Sequence, residues 1–572
     1  MEVIKTKITQ CVDCYKCVRQ CTVKAIQIKE GHAHVVPERC IYDGRCVLVC
    51  PQGAKEVNSS VEKVKSMISS GQKVIASIAP SFVASFHNVK PAKIYNLLHK
   101  LGFYAVEETS IGAYYVAKEY EALLKENPFL ISTDCPSLVN LVEKYYPQYL
   151  QYLAPVVSPM VAHSILLKTA YKKLKNEDVK VVFIGPCIAK IDEVENSKSD
   201  VDGVISFADL KTWIAESNID IESVSDKIAQ NNKVHFDSRL YPIEGGFLKT
   251  AGFDNSVVPN ITSITGFENC KEFFEYFPEN KSNLQLIEMM ICTDGCINGP
   301  LIDSDLPVIS RREVIFEYAN SDNILPLLFD YSQLKFNLRK TFKNKKFKSP
   351  EPTEDDIKIL MAKIGKYSKK DELDCGACGY NSCREKARAV FQGMAELEMC
   401  LPYMRKKAES RANKIIEKDP NGIVIIDNSF KIIQFNKAFA DLFNINEKED
   451  IINLPIENIL EKNFFLNLAK EHKPFGLTFE HKKLGKILKI EGFCLEDEEL
   501  YVGIFVDITS KVKNKERLIK IKSETLEKTQ DVIHKQMRVV QEIASLLGET
   551  TAETKASLLE LIKVLKEEEF YE

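Results

Sequence analysis

Apolar and polar positions change their period several times along the chain, and each change predicts a different kind of element. Between residues 60 and 345, four short apolar runs stand out: KVIASIAP, FLISTDCP, VKVVFIGPC and LQLIEMMIC. Longer amphipathic stretches separate them. Short runs rich in Val and Ile predict buried strands, and their alternation with amphipathic segments predicts an α/β domain built on parallel strands. From Glu417 to Ile445 the pattern predicts a β-hairpin turning around Asp427 to Phe430, then a helix from Asn436. LYVGIFVDIT, Leu500 to Thr509, predicts a further strand. After Thr509 the period becomes seven: Val512, Ile519, Leu526, Ile533, Val540 and Leu547. Leu518, Val532, Val539 and Leu546 sit one residue before four of them. This seam predicts a dimeric coiled coil. Gly548 is expected to stop it. Thr550 and Glu553 would then form a capping box for a last helix, Ala552 to Glu568.

Composition sets limits. A chain of 572 residues accommodates several domains. A net charge of −4 gives no electrostatic case for nucleic acid or an anionic membrane. The N-terminus lacks the apolar stretch of a secretory signal, and no run is long enough to span a bilayer, so a cytoplasmic location is expected. In that compartment the 17 cysteines point to metal sites, not disulfides.

Cys11, Cys14, Cys17 and Cys21 follow the C-x2-C-x2-C-x3-C spacing of bacterial-type ferredoxins. Cys40, Asp43, Cys46 and Cys50, closed by Pro51, repeat the frame with one ligand position changed. In the two-cluster pattern the fourth Cys of each run serves the other cluster. Cys50 would therefore complete the group of Cys11, Cys14 and Cys17, and Cys21 that of Cys40 and Cys46. A zinc ribbon would need a two-plus-two spacing that is absent here. Asp43 stands in a ligand slot, where its carboxylate would be a harder and weaker donor than thiolate. A cubane with one labile iron, or a three-iron cluster, is expected there. A third group, Cys375, Cys378, Cys383 and Cys400, is C-x2-C-x4-C-x16-C, with Cys383 to Cys400 read as a helix that brings back the last ligand. It resembles the small four-cysteine iron–sulfur domain attached to anaerobic redox proteins. Cys270, Cys494, His472 and His481 are read as structural or surface residues.

Three apolar runs end at cysteines: Cys135, Cys187 and Cys292, with Cys296 four residues on. Thiols at the carboxyl ends of parallel strands fall where such sheets bind ligands. Here the chain resembles the FeFe-hydrogenases. STDCP (Ser132 to Pro136), GPCIAKIDE (Gly185 to Glu193) and EMMICTDGCINGP (Glu288 to Pro300) are similar to their three signature motifs, in order. IAPS (Ile78 to Ser81) and LGFYAVEETSIGA (Leu101 to Ala113) match the family's framework. The resemblance implies an H-cluster: a 4Fe-4S cubane on Cys135, Cys187, Cys292 and Cys296. Cys296 would bridge to a diiron unit carrying CO, cyanide and a bridging dithiolate. It further implies Lys190 as donor to a cyanide, Met290 beside the distal iron, Glu193 as a pocket carboxylate, and Ser81 and Ser158 as cofactor contacts.

Departures from the family bear on rate. Asp134 occupies the place of the cysteine that passes protons. A carboxyl also serves as acid or base, but its reference pKa of about 3.9, against about 8.5 for Cys, must be raised by burial. Gly185 replaces a usual methionine. After Ala113 the helix carries Glu119 beside Tyr120, where active enzymes carry paired acidic residues. These point to slow turnover. Glu417 to Ile445 and the strand from Leu500 resemble a PAS sensor domain, which implies a sensory, PAS-containing type.

The expected order is a two-cluster ferredoxin-like domain (1–58), an H-cluster domain (60–345), a 4Fe-4S domain (350–405), a PAS domain (411–510), and a coiled coil with a C-terminal helix (511–572). The expected cofactors are the H-cluster and three accessory clusters. The expected partners are H2 and protons, a redox protein, a downstream kinase or phosphatase, and a second copy of the chain.

Overall fold

In the computed structural model, residues 2–195, 200–227, 237–253, 260–277, 283–321, 327–445, 451–460, 463–471, 475–482, 484–495, 499–544 and 551–567 are described. They form two compact units, Met1–Met404 and Arg405–Glu572. Among the described residues, no helix is long and apolar enough to cross a membrane.

The first unit begins with a ferredoxin-like fold. Strand Ile4–Thr6 pairs antiparallel with Lys55–Val57, and Ile26–Lys29 with His32–Val35. The two cysteine runs lead into short helices, Lys16–Gln20 and Arg45–Leu48.

The α/β part contains two parallel sheets, where the apolar runs alone suggest one crevice on one sheet. The larger has the order Ala105–Glu108, Val74–Ile78, Lys180–Ile184, Gly203–Ile205. The smaller has the order Ile261–Thr265, Leu286–Met290, Leu130–Ile131. Every residue of Val74–Ile78 and Leu286–Met290 is buried, as expected for strands covered on both faces. Gly112 lets helix Ser110–Glu126 pass close to helix Pro159–Ala170, because a Cβ there would meet the Pro159 carbonyl and lie 2.7 Å from His163 Cβ. His163 then ties helix to sheet: Nδ1 lies 2.7 Å from Ser77 Oγ and Nε2 2.9 Å from Glu107 Oε2.

The four-cysteine segment departs from the expected single helix. The helix covers Cys383–Phe391 only. Gly393, at φ 70°, turns the chain, and a 3-10 turn at Leu397–Met399 delivers Cys400. A left-handed residue cannot continue a right-handed helix.

In the second unit, one antiparallel sheet runs Ile432–Phe435, Gly422–Ile426, Leu500–Asp507, Lys486–Leu495, Phe475–His481. The expected hairpin, helix Lys437–Phe443 and closing strand are all present. Phenylalanine fills the interior, with Phe439 and Phe505 centroids 5.3 Å apart and Phe443 and Phe505 5.4 Å apart. The long helix spans Thr509–Ala544 and the last one Thr551–Glu567. His472, Leu546, Leu547, Gly548 and Thr550 lie outside the described residues, as does the side chain of Glu553.

Asn436 holds this unit's entry together. Its Oδ1 accepts from Ile423 N at 2.8 Å and, as helix cap, from Phe439 N at 2.9 Å. Its Nδ2 donates to the carbonyls of Ile416 at 2.9 Å and Asn421 at 2.8 Å. The residue is fully buried, so truncation orphans several backbone groups at once. Asn436→Ala is expected to destabilise the second unit by about 2–4 kcal/mol. Denaturant unfolding of the full chain measures it; a loss below about 0.5 kcal/mol would contradict the assignment.

Candidate metal centre

The carboxyl ends of both sheets deliver their residues to the same space. Cys187 follows strand Lys180–Ile184 of the larger sheet, while Cys135 and Cys292 follow Leu130–Ile131 and Leu286–Met290 of the smaller. A cavity of about 80 Å³ lies between them, lined by Ser81, Asp134, Cys135, Cys187, Lys190, Met290 and Cys296. A second, about 30 Å³, touches all four cysteines, Cys135, Cys187, Cys292 and Cys296, and also Asp43.

The chemistry of the lining is specific. Burial raises the thiols of all four cysteines, that of Cys187 to about 11. A thiol so placed ionises only beside strong positive charge; Lys190 supplies part of it for Cys135, Cys187 and Cys296, and a bound metal would supply the rest. Four polar atoms of the larger cavity's lining are buried with no hydrogen-bond partner among the described residues: Ser81 Oγ, Asp134 Oδ2, Lys190 Nζ and Ser238 Oγ. Buried polar atoms are normally satisfied, so such a cluster fits a polar group held between them. Lys190 Nζ does lie 4.0 Å from Glu193 Oε2. The residues present therefore fit a thiolate-held metal group with polar ligands.

Asp134 is fixed through one oxygen. The Tyr241 hydroxyl donates to Oδ1 at 3.0 Å. Burial pushes the Asp134 carboxyl up to about 7, against the lowering effects of Tyr241 and Lys190. Glu288, also raised by burial to about 7, accepts from Gly245 N at 2.7 Å and Phe247 N at 3.2 Å. Glu119 pairs with Arg339 at 3.3 Å. Tyr120 is buried and its hydroxyl accepts from Thr133 N at 2.9 Å. Gly185 is explained by Phe183: a Cβ at 185 would lie 2.5 Å from the Phe183 ring, which lines the cavity.

Other expected residues sit further out. Ser158 lines neither cavity; its hydroxyl donates to Glu193 Oε2 at 2.8 Å. Glu193 also pairs with Lys340 at 3.3 Å and lies 4.0 Å from the Lys190 ammonium. Tyr241, Ser238, Met160 and Phe183 line the larger cavity with no motif to mark them as site residues, and Glu288 is marked only by the motif it opens.

The accessory cysteines also group. Cys17 is influenced by Cys11 and Cys14, and Cys378 by Cys400 and Cys375. Cys40 and Cys46 both lie within electrostatic reach of Cys21 and Asp43, and Cys46 within that of Cys17 as well. The pseudo-twofold shows in matching bonds: Ala25 N donates to Cys21 Sγ at 3.2 Å and Ala54 N to Cys50 Sγ at 3.3 Å. Asp43 is partly buried and accepts from Thr22 Oγ1 at 2.9 Å.

Residues 72–300 match the family described as iron only hydrogenase large subunit, C-terminal domain. Residues 10–54 match a 4Fe-4S dicluster domain, 371–402 an Fe-S cluster domain and 420–510 a PAS domain. Iron hydrogenase 1 of Clostridium pasteurianum is 25% identical over 362 residues, 51% of this chain and 63% of that protein. The cytosolic Fe-S cluster assembly factor narfl of Danio rerio is 21% identical over 327 residues, 46% of this chain and 79% of that protein. A solved variant of FeFe-hydrogenase HydA1 from Chlamydomonas reinhardtii is similar at 15% identity and TM-score 0.39, covering 47% of this chain and 91% of that one. The chain is thus an FeFe-hydrogenase-like iron–sulfur protein with electron-transfer domains and a PAS domain. It spans just under two-thirds of the length of the curated hydrogenases it matches.

Proposed function

We propose that this chain is a cytoplasmic sensory FeFe-hydrogenase that slowly interconverts H2 with protons and electrons and reports through its PAS and coiled-coil segments. The observation that carries this reading is the set of four buried polar atoms without a hydrogen-bond partner among the described residues, on Ser81, Asp134, Lys190 and Ser238, around a cavity that Cys296 also lines. An H-cluster bound there would supply the centre at which H2 is split or formed. Cys135, Cys187, Cys292 and Cys296 would hold its cubane, with Cys296 lining the cavity for the diiron unit as well. Lys190 would donate to a cyanide, a charge-assisted contact. Met290 and Met160, which line the same cavity, would keep water from it. Asp134 carries the proton: Tyr241 holds Oδ1, and Oδ2 stays free beside the cavity. Glu119 is taken up by Arg339 and Tyr120 by Thr133, which favours a slow enzyme. A purely iron–sulfur role without a diiron unit, to which the likeness to narfl points, leaves Lys190 and the cavity without purpose. Asp134→Ala is expected to keep iron content unchanged and lower H2 turnover by about 10²–10⁴-fold. Unchanged turnover in anaerobic H2-uptake assays would remove Asp134 from the proton path.

Asp43 is proposed as the fourth ligand of the group formed by Cys21, Cys40 and Cys46. It is partly buried, in the slot where the first run has Cys14. Carboxylate binds iron more weakly than thiolate, so this iron leaves first on mild oxidation, giving a three-iron cluster. Asp43→Cys is expected to suppress that conversion, followed by its paramagnetic signal. Equal iron loss in both proteins would show that Asp43 does not bind metal.

The output is proposed to run through a homodimer to a kinase or phosphatase. Leu518, Val532 and Val539 of the heptad seam are each more than half exposed in a single chain. A parallel partner helix would cover them. A chain lacking 511–572 is expected to be monomeric by light scattering; a dimer would place the interface elsewhere.

A further inference from the structure

One ammonium group joins two cysteine loops that are far apart in sequence. Lys24, in the left-handed region at φ 51°, donates from Nζ to Val18 O at 3.0 Å, Arg19 O at 3.2 Å and Gly379 O at 2.9 Å. The first two carbonyls belong to helix Lys16–Gln20, which carries Cys17 and leads into Cys21. The third follows Cys378 in the four-cysteine segment. The backbones meet closely here. Gly379, at φ 94°, lies where a Cβ would come within 2.8 Å of Val18 Cγ1. Arg19 Nη1 donates to Ala377 O at 2.9 Å.

The contact continues along a seam. Ile28 N donates to Met394 O at 3.0 Å and Gln27 Nε2 to Gly393 O at 2.7 Å. The Glu396 carboxylate accepts from Glu30 N at 2.6 Å and Gly31 N at 3.2 Å. So many directed bonds dock the four-cysteine segment in one orientation. The Cys21 group also meets the hydrogenase-like part. Asp43 lines the smaller cavity with Cys292, and a Cβ on Gly44, at φ 76°, would lie 2.5 Å from Pro300 Cβ.

We propose that the group of Cys21, Cys40, Asp43 and Cys46 is a branch point, passing electrons both to the Cys11–Cys14–Cys17–Cys50 group and, across Lys24, to the Cys375–Cys378–Cys383–Cys400 group. Each transfer moves one electron: the donor cluster is oxidised by one and the acceptor reduced by one. The two electrons of one H2, which leaves as two protons, thus divide between the branches. A one-electron acceptor of ferredoxin or viologen type draws from the first branch, where Cys14 is exposed. The second branch ends on the segment that leads to the PAS strand. Cys400 directly precedes helix Leu401–Lys418, and its carbonyl accepts from Met404 N at 2.9 Å. Lys24 is a positioning residue for both loops, and its charge favours the reduced, more negative state of each cluster. The inference rests on the cluster reading of these cysteines and not on H2 chemistry.

The test uses the full chain reconstituted anaerobically with iron and sulfide, titrated with dithionite and followed by electron paramagnetic resonance. In wild type the cluster of the Cys378 group is expected to show magnetic interaction with a reduced neighbour, which disappears in Cys383→Ala. Lys24→Met is expected to shift the midpoint potentials of the Cys21 and Cys378 groups to more negative values and leave the Cys11 group unchanged; Lys24→Arg restores them. A magnetically isolated Cys378 cluster in wild type overturns the branch. So does a Lys24→Met protein in which neither potential moves. Should Lys24→Met fail to hold iron, the wild-type interaction and the Lys24→Arg potentials decide alone. Because dithionite supplies the electrons, a protein without H2 activity fails the hydrogenase reading only.

Discussion

Bringing four partly buried thiols to one cavity is the constraint on which the rest of this structure depends. A thiol in an apolar interior resists ionisation, yet metal binding needs the thiolate. The fold meets this with geometry. Strands buried on both faces end abruptly, and the residue just past each end is fixed by the strand behind it. Cys187 comes from the larger sheet, and Cys135, Cys292 and Cys296 from the smaller or the loop beyond it. Neither sheet alone could build the site. The two sheets meet at the cavity that all four cysteines line.

The same constraint explains the polar wall. Lys190 lies two residues inside a helix that starts just after Cys187, so it comes with the ligand. Asp134 precedes Cys135 and is held by Tyr241. Ser238 and Tyr241 arrive from Asp237–Leu240 and the residues after it, a short turn with no strand or long helix of its own. Ligand and donor are therefore placed by the same backbone turns, which limits how far either moves.

What was legible in sequence follows from this. Runs such as VVFI and LIEMM announce buried strands because burial on both faces demands mostly apolar residues, with Glu288 the one charged exception here. The cysteines announced themselves because they sit where those runs stop. Asn436 was legible as a helix start because its side chain caps the first turn. The division into two sheets was not, since a strand of two residues, Leu130–Ile131, carries no period that says which neighbours it pairs with. Ser238, Tyr241 and Met160 were hidden for a related reason: their place in the site is set by long-range packing. The docking of Gly379 on Val18 depends on backbone approach, which residue types reveal only as an unexplained glycine. The early end of helix Cys383–Phe391 follows from the left-handed Gly393, a signal present in sequence but outweighed by the helical pattern around it.

The central claim is that the cavity beside Cys296 holds a diiron unit whose polar ligands meet Lys190, Ser81 and Ser238. Infrared spectroscopy of the anaerobically matured full chain measures this directly. The account predicts bands from metal-bound CO and cyanide, with the cyanide bands displaced in Lys190→Met. A fully iron-loaded protein with no such bands would contradict it.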